Sequence, residues 1–198
     1  MQNILIIGAN GSLARVIITA TERHPAFNLT LFARSIPRHA GKHRIIIGDA
    51  LNPADLQNAM QGQDIVYINL AGDLAAMGVN IITAMQAAGV RRVISVSSIG
   101  IYETPLREAL RPYRALADVI EQSGLDYTIL RPDWFTDADE VDYQITPKGQ
   151  PETGSAVSRK SIADFVCKLF ANPELNIGEN LNISKAQGFR QPEKENAV

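Results

Sequence analysis

Several things are scarce in this 198-residue chain, and each scarcity excludes a class of protein. There is one cysteine, Cys167, which rules out an intrachain disulfide framework and any metal site built from several thiolates. The three histidines, His24, His39 and His43, have no Cys or His partner at ligand spacing, so no metal is expected. Basic charge is not in excess: nineteen Lys and Arg stand against twenty-one Asp and Glu, a formal net charge of −2. Phosphate-backbone binding needs a basic face, so no nucleic-acid partner is expected. No apolar run approaches the roughly 18 residues of a membrane span, so no membrane partner is expected either. Met1-Gln2-Asn3 leads directly into Ile4-Leu5-Ile6-Ile7 without a basic leader or a small-residue cleavage site, which makes a cytoplasmic location the expectation.

What remains is an ordinary globular composition, 45% hydrophobic and 20% charged, long enough for one domain with a small lobe. Strand-like runs fall at Ile4–Ile7, Leu29–Phe32, Arg44–Ile47, Ile65–Asn69, Val93–Val96 and Tyr127–Leu130. Several are near-continuous Ile, Val and Leu, the pattern of strands buried on both faces of a parallel sheet. Helical patterns fill the gaps near Leu13–Arg23, Pro53–Met60, Ala75–Ala88 and Pro112–Gln122. The last carries Tyr113, Leu116, Ala117 and Ile120 on one stripe, with Pro112 at its first position. Such alternation predicts an α/β fold with a doubly wound parallel sheet, the Rossmann architecture. After Leu130 the periodicity lapses, and Arg131–Pro151 reads as an excursion. Ser158 then caps a helix over Arg159–Phe170, and a last strand is expected at Asn180–Ser184. The single domain is drawn over residues 1–184, with its small C-terminal substrate lobe from about 131; polar residues 185–198 read as a disordered tail.

The strongest chemical signal follows the first strand, in Gly8-Ala9-Asn10-Gly11-Ser12-Leu13-Ala14. A glycine turn between a buried strand and a helix N-terminus is where a dinucleotide's diphosphate binds. Gly8 makes the tight turn, Gly11 lets backbone amides approach the ligand, and Ala14 allows close helix–strand packing. Arg34 lies at the end of the second strand, where an NAD-specific unit would carry an acid for the ribose hydroxyl. A guanidinium there pairs with a phosphate, so NADP is expected over NAD. Asp49 and Ala50 after the third strand, and Leu70, Ala71 and Gly72 after the fourth, are expected along the adenosine. The histidines are expected outside the pocket, and the basic stretch Arg34–Arg44 reads as a solvated loop, with help in holding the ribose phosphate as the alternative.

Four segments then resemble the short-chain dehydrogenase/reductase superfamily, in its atypical branch of NmrA-like proteins and biliverdin reductase B (flavin reductase). They are Gly8-Ala9-Asn10-Gly11, Gly62-Gln63-Asp64-Ile65-Val66, Val96-Ser97-Ser98-Ile99-Gly100-Ile101-Tyr102 and Ser123-Gly124-Leu125-Asp126-Tyr127-Thr128-Ile129-Leu130-Arg131-Pro132. The stretch from Val157 to Asp164 resembles the terminal helix entry of the same branch. The resemblance implies a Rossmann fold, a bound nicotinamide dinucleotide and an acceptor site over its nicotinamide end. Superfamily members commonly use a serine after strand five with a Tyr-x-x-x-Lys pair; the tyrosine is the acid and the lysine lowers its pKa. Ser98 matches the serine. Tyr113 has Ala117 four residues on, and by count from Ser123-Gly124 it falls near the lysine position, with Ala109 where the tyrosine belongs.

Without that pair, ordinary ketone chemistry is disfavoured, while hydride transfer to a flavin or quinone needs chiefly orientation. Ser98 and Tyr113 are the catalytic candidates, Ser97 and Pro132 flank the nicotinamide, and Tyr102, Trp134 and Phe135 wall the substrate. The expected function is NADPH-dependent reduction of a small planar acceptor. The alternative is an NADP(H)-binding regulatory protein of the NmrA-like kind, which would act through a protein partner; a homodimer fits either. A sugar-nucleotide epimerase is disfavoured by the short stretch left after Pro132.

Overall fold

Residues 1–186 are described by a computed structural model of the chain. In it an eight-stranded sheet runs in the order β3-β2-β1-β4-β5-β6-β10-β8. Its members are β1 (Gln2–Ile7), β2 (Phe27–Ala33), β3 (Arg44–Ile47), β4 (Ile65–Ile68), β5 (Arg92–Val96), β6 (Asp126–Pro132), β8 (Gln144–Pro147) and β10 (Glu179–Ser184). Every pairing is parallel except the edge pair β10–β8. Two short strands, β7 (Phe135–Thr136) and β9 (Val157–Ser158), pair with each other outside the main sheet. The five helices are α1 (Ser12–Thr21), α2 (Pro53–Met60), α3 (Leu74–Ala88), α4 (Arg111–Glu121) and α5 (Arg159–Ala171).

The two-residue period of a strand divides the central residues between two cores. Ile4 and Ile6 of β1 face one side with Leu13, Ile17, Ile162, Val166 and Phe170 of α1 and α5. Leu5 and Ile7 face the other with Leu56, Met60, Ile81, Met85, Leu116 and Ile120 of α2, α3 and α4. Both sides are therefore covered, which explains the unbroken apolar runs in the sequence. The chain reverses its direction across the sheet between β1 and β4. Beyond the strand ends at that point an open parallel sheet leaves a crevice.

The excursion after β6 is more structured than its composition announces. It contains β7, adds β8 to the sheet edge, and returns through β9 into α5, whose N-terminus Ser158 caps by accepting from the Ser161 amide at 2.9 Å. The expected tail begins inside the fold: Lys185 bridges backbone to Ser155, and its ammonium sits 2.6 Å from Glu140. The rest of that tail, 187–198, lies outside the described residues. Among the described residues, no helix is long and apolar enough to cross a membrane.

Candidate functional site

A cleft of about 530 Å³ opens above the C-terminal ends of β1, β2 and β4. Its floor is the glycine turn. Gly8 adopts φ +90°, and a Cβ there would lie 2.1 Å from the Asn69 carbonyl oxygen. A Cβ on Gly11 would come within 2.6 Å of Asn69 Nδ2. At Gly8, where the clash is with backbone, only glycine permits this close approach of the turn to the end of β4. Asn69, which the sequence reading placed at the strand end without a role, is thus the residue the turn is moulded against.

Gly11 is also the N-cap of α1, and it supplies no side-chain acceptor. Asn52 caps α2, Asp73 caps α3 and Ser158 caps α5 through their side chains, whereas α4, entered from Leu110, shares the lack of a side-chain cap but does not start at the glycine turn. The first turn of α1 has no acidic residue, so its amides face the cleft uncapped. Free amides at the positive end of a helix suit a diphosphate, and the residues present fit the dinucleotide that such a cleft would hold. Gly8, Asn10, Gly11, Ser12 and Leu13 all line it.

Arg34 lies at the rim, on a loop tied to the glycine turn by Asn10, whose Nδ2 donates to the Ser35 carbonyl and hydroxyl at 3.1 Å each. On the far side of this tie is a second, basic hollow lined by Asn10, Ser12, Ser35, Arg15, Arg38 and His39. The basic stretch stays solvent-exposed at Arg34, Arg38 and His39, and Arg38 and His39 share this hollow with Arg15 of α1. No sequence period signals this, because the two segments meet only through the tie.

Along the adenosine side, Asp49, Ala50, Leu70 and Ala71 line the cleft with Met77 of α3. Asp49 Oδ1 accepts from the Leu51 amide, so it shapes its own turn while the helix cap falls to Asn52. Gly72 is a correction. It is not on the cleft wall; at φ +111° it makes the bend into α3 just before the cap Asp73.

A second pocket, about 500 Å³, adjoins the first, and Tyr113 and Phe135 line both. It is walled by Ser97, Ser98, Ile99, Leu110, Pro132, Asp133 and Trp134, with Ala109 also at its surface. Trp134 is 78% exposed, so it serves as a pocket wall rather than as core packing. Ser98 Oγ donates to the Ile99 carbonyl at 3.1 Å, and Ser97 Oγ donates to the Tyr113 carbonyl at 3.4 Å. Ser97 is buried and so holds α4 against β5, while Ser98 remains half-buried in the pocket. Position 117, where a lysine would follow Tyr113, is a buried alanine.

Tyr102 is the second correction. Gly100 turns the chain at φ +81°, Ile101 is fully buried, and Tyr102 emerges on the far side of the loop from the pocket. Its ring lies beneath the cationic groups of Arg114, Arg131 and Lys148, at 4.6, 5.3 and 4.5 Å. Its hydroxyl donates to Glu121 at 3.1 Å and accepts from Asn180 at 2.7 Å. Burial works against the Glu121 charge, but hydrogen bonds from Lys148, Asn180 and Tyr102 outweigh it and hold the carboxyl below its ordinary value. Burial likewise lowers the Arg131 pKa, opposed by Glu152, which pairs with it at 3.0 Å. The other Glu152 oxygen accepts from the Gly100 amide at 3.3 Å. This cluster is scaffolding behind the pocket wall.

Residues 8–173 match the model of the NAD(P)H-binding family. A Rossmann-fold NAD(P)-binding family protein from Shigella flexneri superposes with a TM-score of 0.84 at 44% identity, over 96% of this chain and 98% of that one. A short-chain dehydrogenase/reductase from Veillonella parvula in complex with NADP gives 0.85 at 24%, over 93% and 94%. ChuY, an anaerobilin reductase from Escherichia coli O157:H7, gives 0.79 at 19%, over 99% and 100%, and shares the fold. Among curated sequences, the isoflavone reductase homolog A622 of Nicotiana glauca is 28% identical over 156 residues, 69% of this chain. The chain spans about half the length of that relative, 49%.

Proposed function

The chain belongs to the NAD(P)H-binding family, and from that premise we propose that it is an NADPH-dependent oxidoreductase of a small planar acceptor such as a flavin or quinone. One observation carries the reading: the apolar, aromatic-walled pocket opens onto the dinucleotide cleft through Tyr113 and Phe135, which belong to both. A flat ring in the second pocket would then lie against the end of whatever fills the first.

The dinucleotide, when bound, supplies a pair of electrons with a proton. The uncapped amides of α1 would hold its diphosphate, and Arg34, with Arg15 and Arg38 nearby, would hold the ribose phosphate that distinguishes NADP from NAD. Asp49, Ala50, Leu70 and Ala71 would flank its adenosine. Tyr113, Phe135 and Trp134 orient the acceptor and exclude water from one side of it. The half-buried Ser98 hydroxyl is free to turn from the Ile99 carbonyl towards an acceptor oxygen. With alanine at 117, no lysine stands four residues on to assist Tyr113 as an acid, so its role is that of a wall and the last proton comes from water.

The same alanine favours a second reading, an NADP(H)-occupied regulatory protein without turnover. One experiment decides between them: loss of NADPH absorbance in the presence of a panel of flavins and quinones, with NADH as control. Turnover with an NADPH preference supports the reductase. Tight NADPH binding by calorimetry without turnover overturns it in favour of the regulatory protein.

A further inference from the structure

We propose that the second pocket selects an uncharged planar acceptor and rejects rings bearing a carboxylate, sulfonate or phosphate, with Asp133 as the specificity-determining residue. The inference rests on the reductase reading only in calling the pocket's occupant an acceptor. It comes from the charges around the pocket.

Three charged side chains line it: Glu103, Arg107 and Asp133. Glu103 and Arg107 neutralise each other at 3.4 Å on the rim. Just outside, Glu108 and Arg111 do the same at 2.6 Å. Behind the wall, the buried Arg131 guanidinium is matched by Glu152. Asp133 has no cationic partner among the described residues. Its Oδ1 accepts the amide of its neighbour Trp134 at 2.6 Å, which fixes the carboxylate beside the exposed indole. The remaining lining is apolar, hydroxylic or aromatic: Ile99, Leu110, Pro132, Phe135, Tyr113, Ser97 and Ser98. The net charge is therefore one negative, placed next to the flattest surface in the pocket.

An aromatic ring stacked on Trp134 is favoured by area and shape whatever its substituents. A fixed negative charge on that ring meets Asp133 with nothing to offset it, and like charges placed close together discriminate by repulsion. A neutral ring loses nothing, and its N–H or O–H groups find an acceptor in Asp133 Oδ2.

Trp134 is the chain's single tryptophan, so its fluorescence reports pocket occupancy independently of turnover. The test titrates the NADP-loaded protein with para-naphthoquinone and with its ring sulfonate, two flat probes that differ by one fixed charge. Binding is read from Trp134 quenching, alongside NADPH oxidation. The expected result is affinity about five- to tenfold higher for the neutral quinone, shrinking as salt is raised. Asp133→Asn keeps the Oδ1 acceptor for the Trp134 amide, and it should collapse the ratio by strengthening sulfonate binding. Arg107→Gln unmasks Glu103 and should widen it. Equal affinities, a tighter sulfonate, a ratio unmoved in Asp133→Asn, or no quenching by either probe would overturn the inference. Quenching by the neutral quinone without NADPH oxidation would leave the inference standing and overturn the reductase reading instead.

Discussion

Replacing Glu152 by alanine should be a costly single change although Glu152 lies outside the apolar cores. Its partner Arg131 is 1% exposed at the side chain, and its Nε has no hydrogen-bond partner among the described residues, so Glu152 is the main compensation for that charge. Removing one member of a fully buried pair costs about 3–5 kcal/mol. The Glu152 side chain is 22% exposed, so water can partly take its place and the cost falls to the bottom of that range or just under it, about 2–3 kcal/mol. The hydrogen bond from the Gly100 amide is lost as well, which adds about 1 kcal/mol. For a chain of this length each kcal/mol moves the melting temperature by about 2–4 °C, so a fall of roughly 6–16 °C is expected. Circular dichroism melts of the variant and wild type measure it. Glu108→Ala, which breaks the exposed pair with Arg111, is the control and should stay within about 2 °C. If Glu152→Ala melts as close to wild type as the control does, the account of Arg131 is wrong.

Four further outcomes are expected. Arg34→Glu should weaken NADPH by tenfold or more (about 1.4 kcal/mol) while barely changing NADH, measured by calorimetry; equal losses would remove Arg34 from phosphate recognition. Gly11→Val pushes a branched side chain at Asn69 and over the amides of α1, so dinucleotide affinity should vanish while the circular dichroism spectrum keeps its folded form. Tyr113→Phe should lower turnover by less than about tenfold if the ring is only a wall; a loss of several hundredfold would make the hydroxyl a proton donor. Burial pushes the Cys167 thiol up to about 11, so at about pH 8 it should react with a disulfide reagent on the order of a hundredfold more slowly than a free thiol. Denaturant should remove that protection.

Much of the sheet was legible because parallel strands covered on both sides leave an unbroken apolar run, as at Ile4–Ile7, and because α4 shows its stripe plainly. The strands β7 and β9 were not legible, since two residues carry no period. The glycine turn could be read because its function depends on residue type and spacing at one place in the chain. The basic hollow could not, because Arg15, Arg38 and His39 meet only after Asn10 has tied two loops together. Tyr102 misled for a related reason. Its position after β5 is near the pocket in sequence, but a single glycine bend at Gly100 decides which side of the loop it occupies. Asn69 carried no signal beyond its place at the end of β4, next to the point where the sheet reverses.

The position of β10 bears on how this molecule is made. The last described strand to emerge during synthesis is an interior one, between β6 and β8. Until residues 179–184 arrive, β6 presents a bare edge of backbone donors and acceptors, and β8 has no neighbour in the sheet. A nascent chain that has already built β1 to β6 therefore has its glycine turn in place, lacks only Phe135 of the cleft lining, and is open along one side. That is the interval in which pairing with another chain competes with closure. Ending the chain before Glu179 would make the open state permanent, and such a fragment should aggregate even with its glycine turn intact.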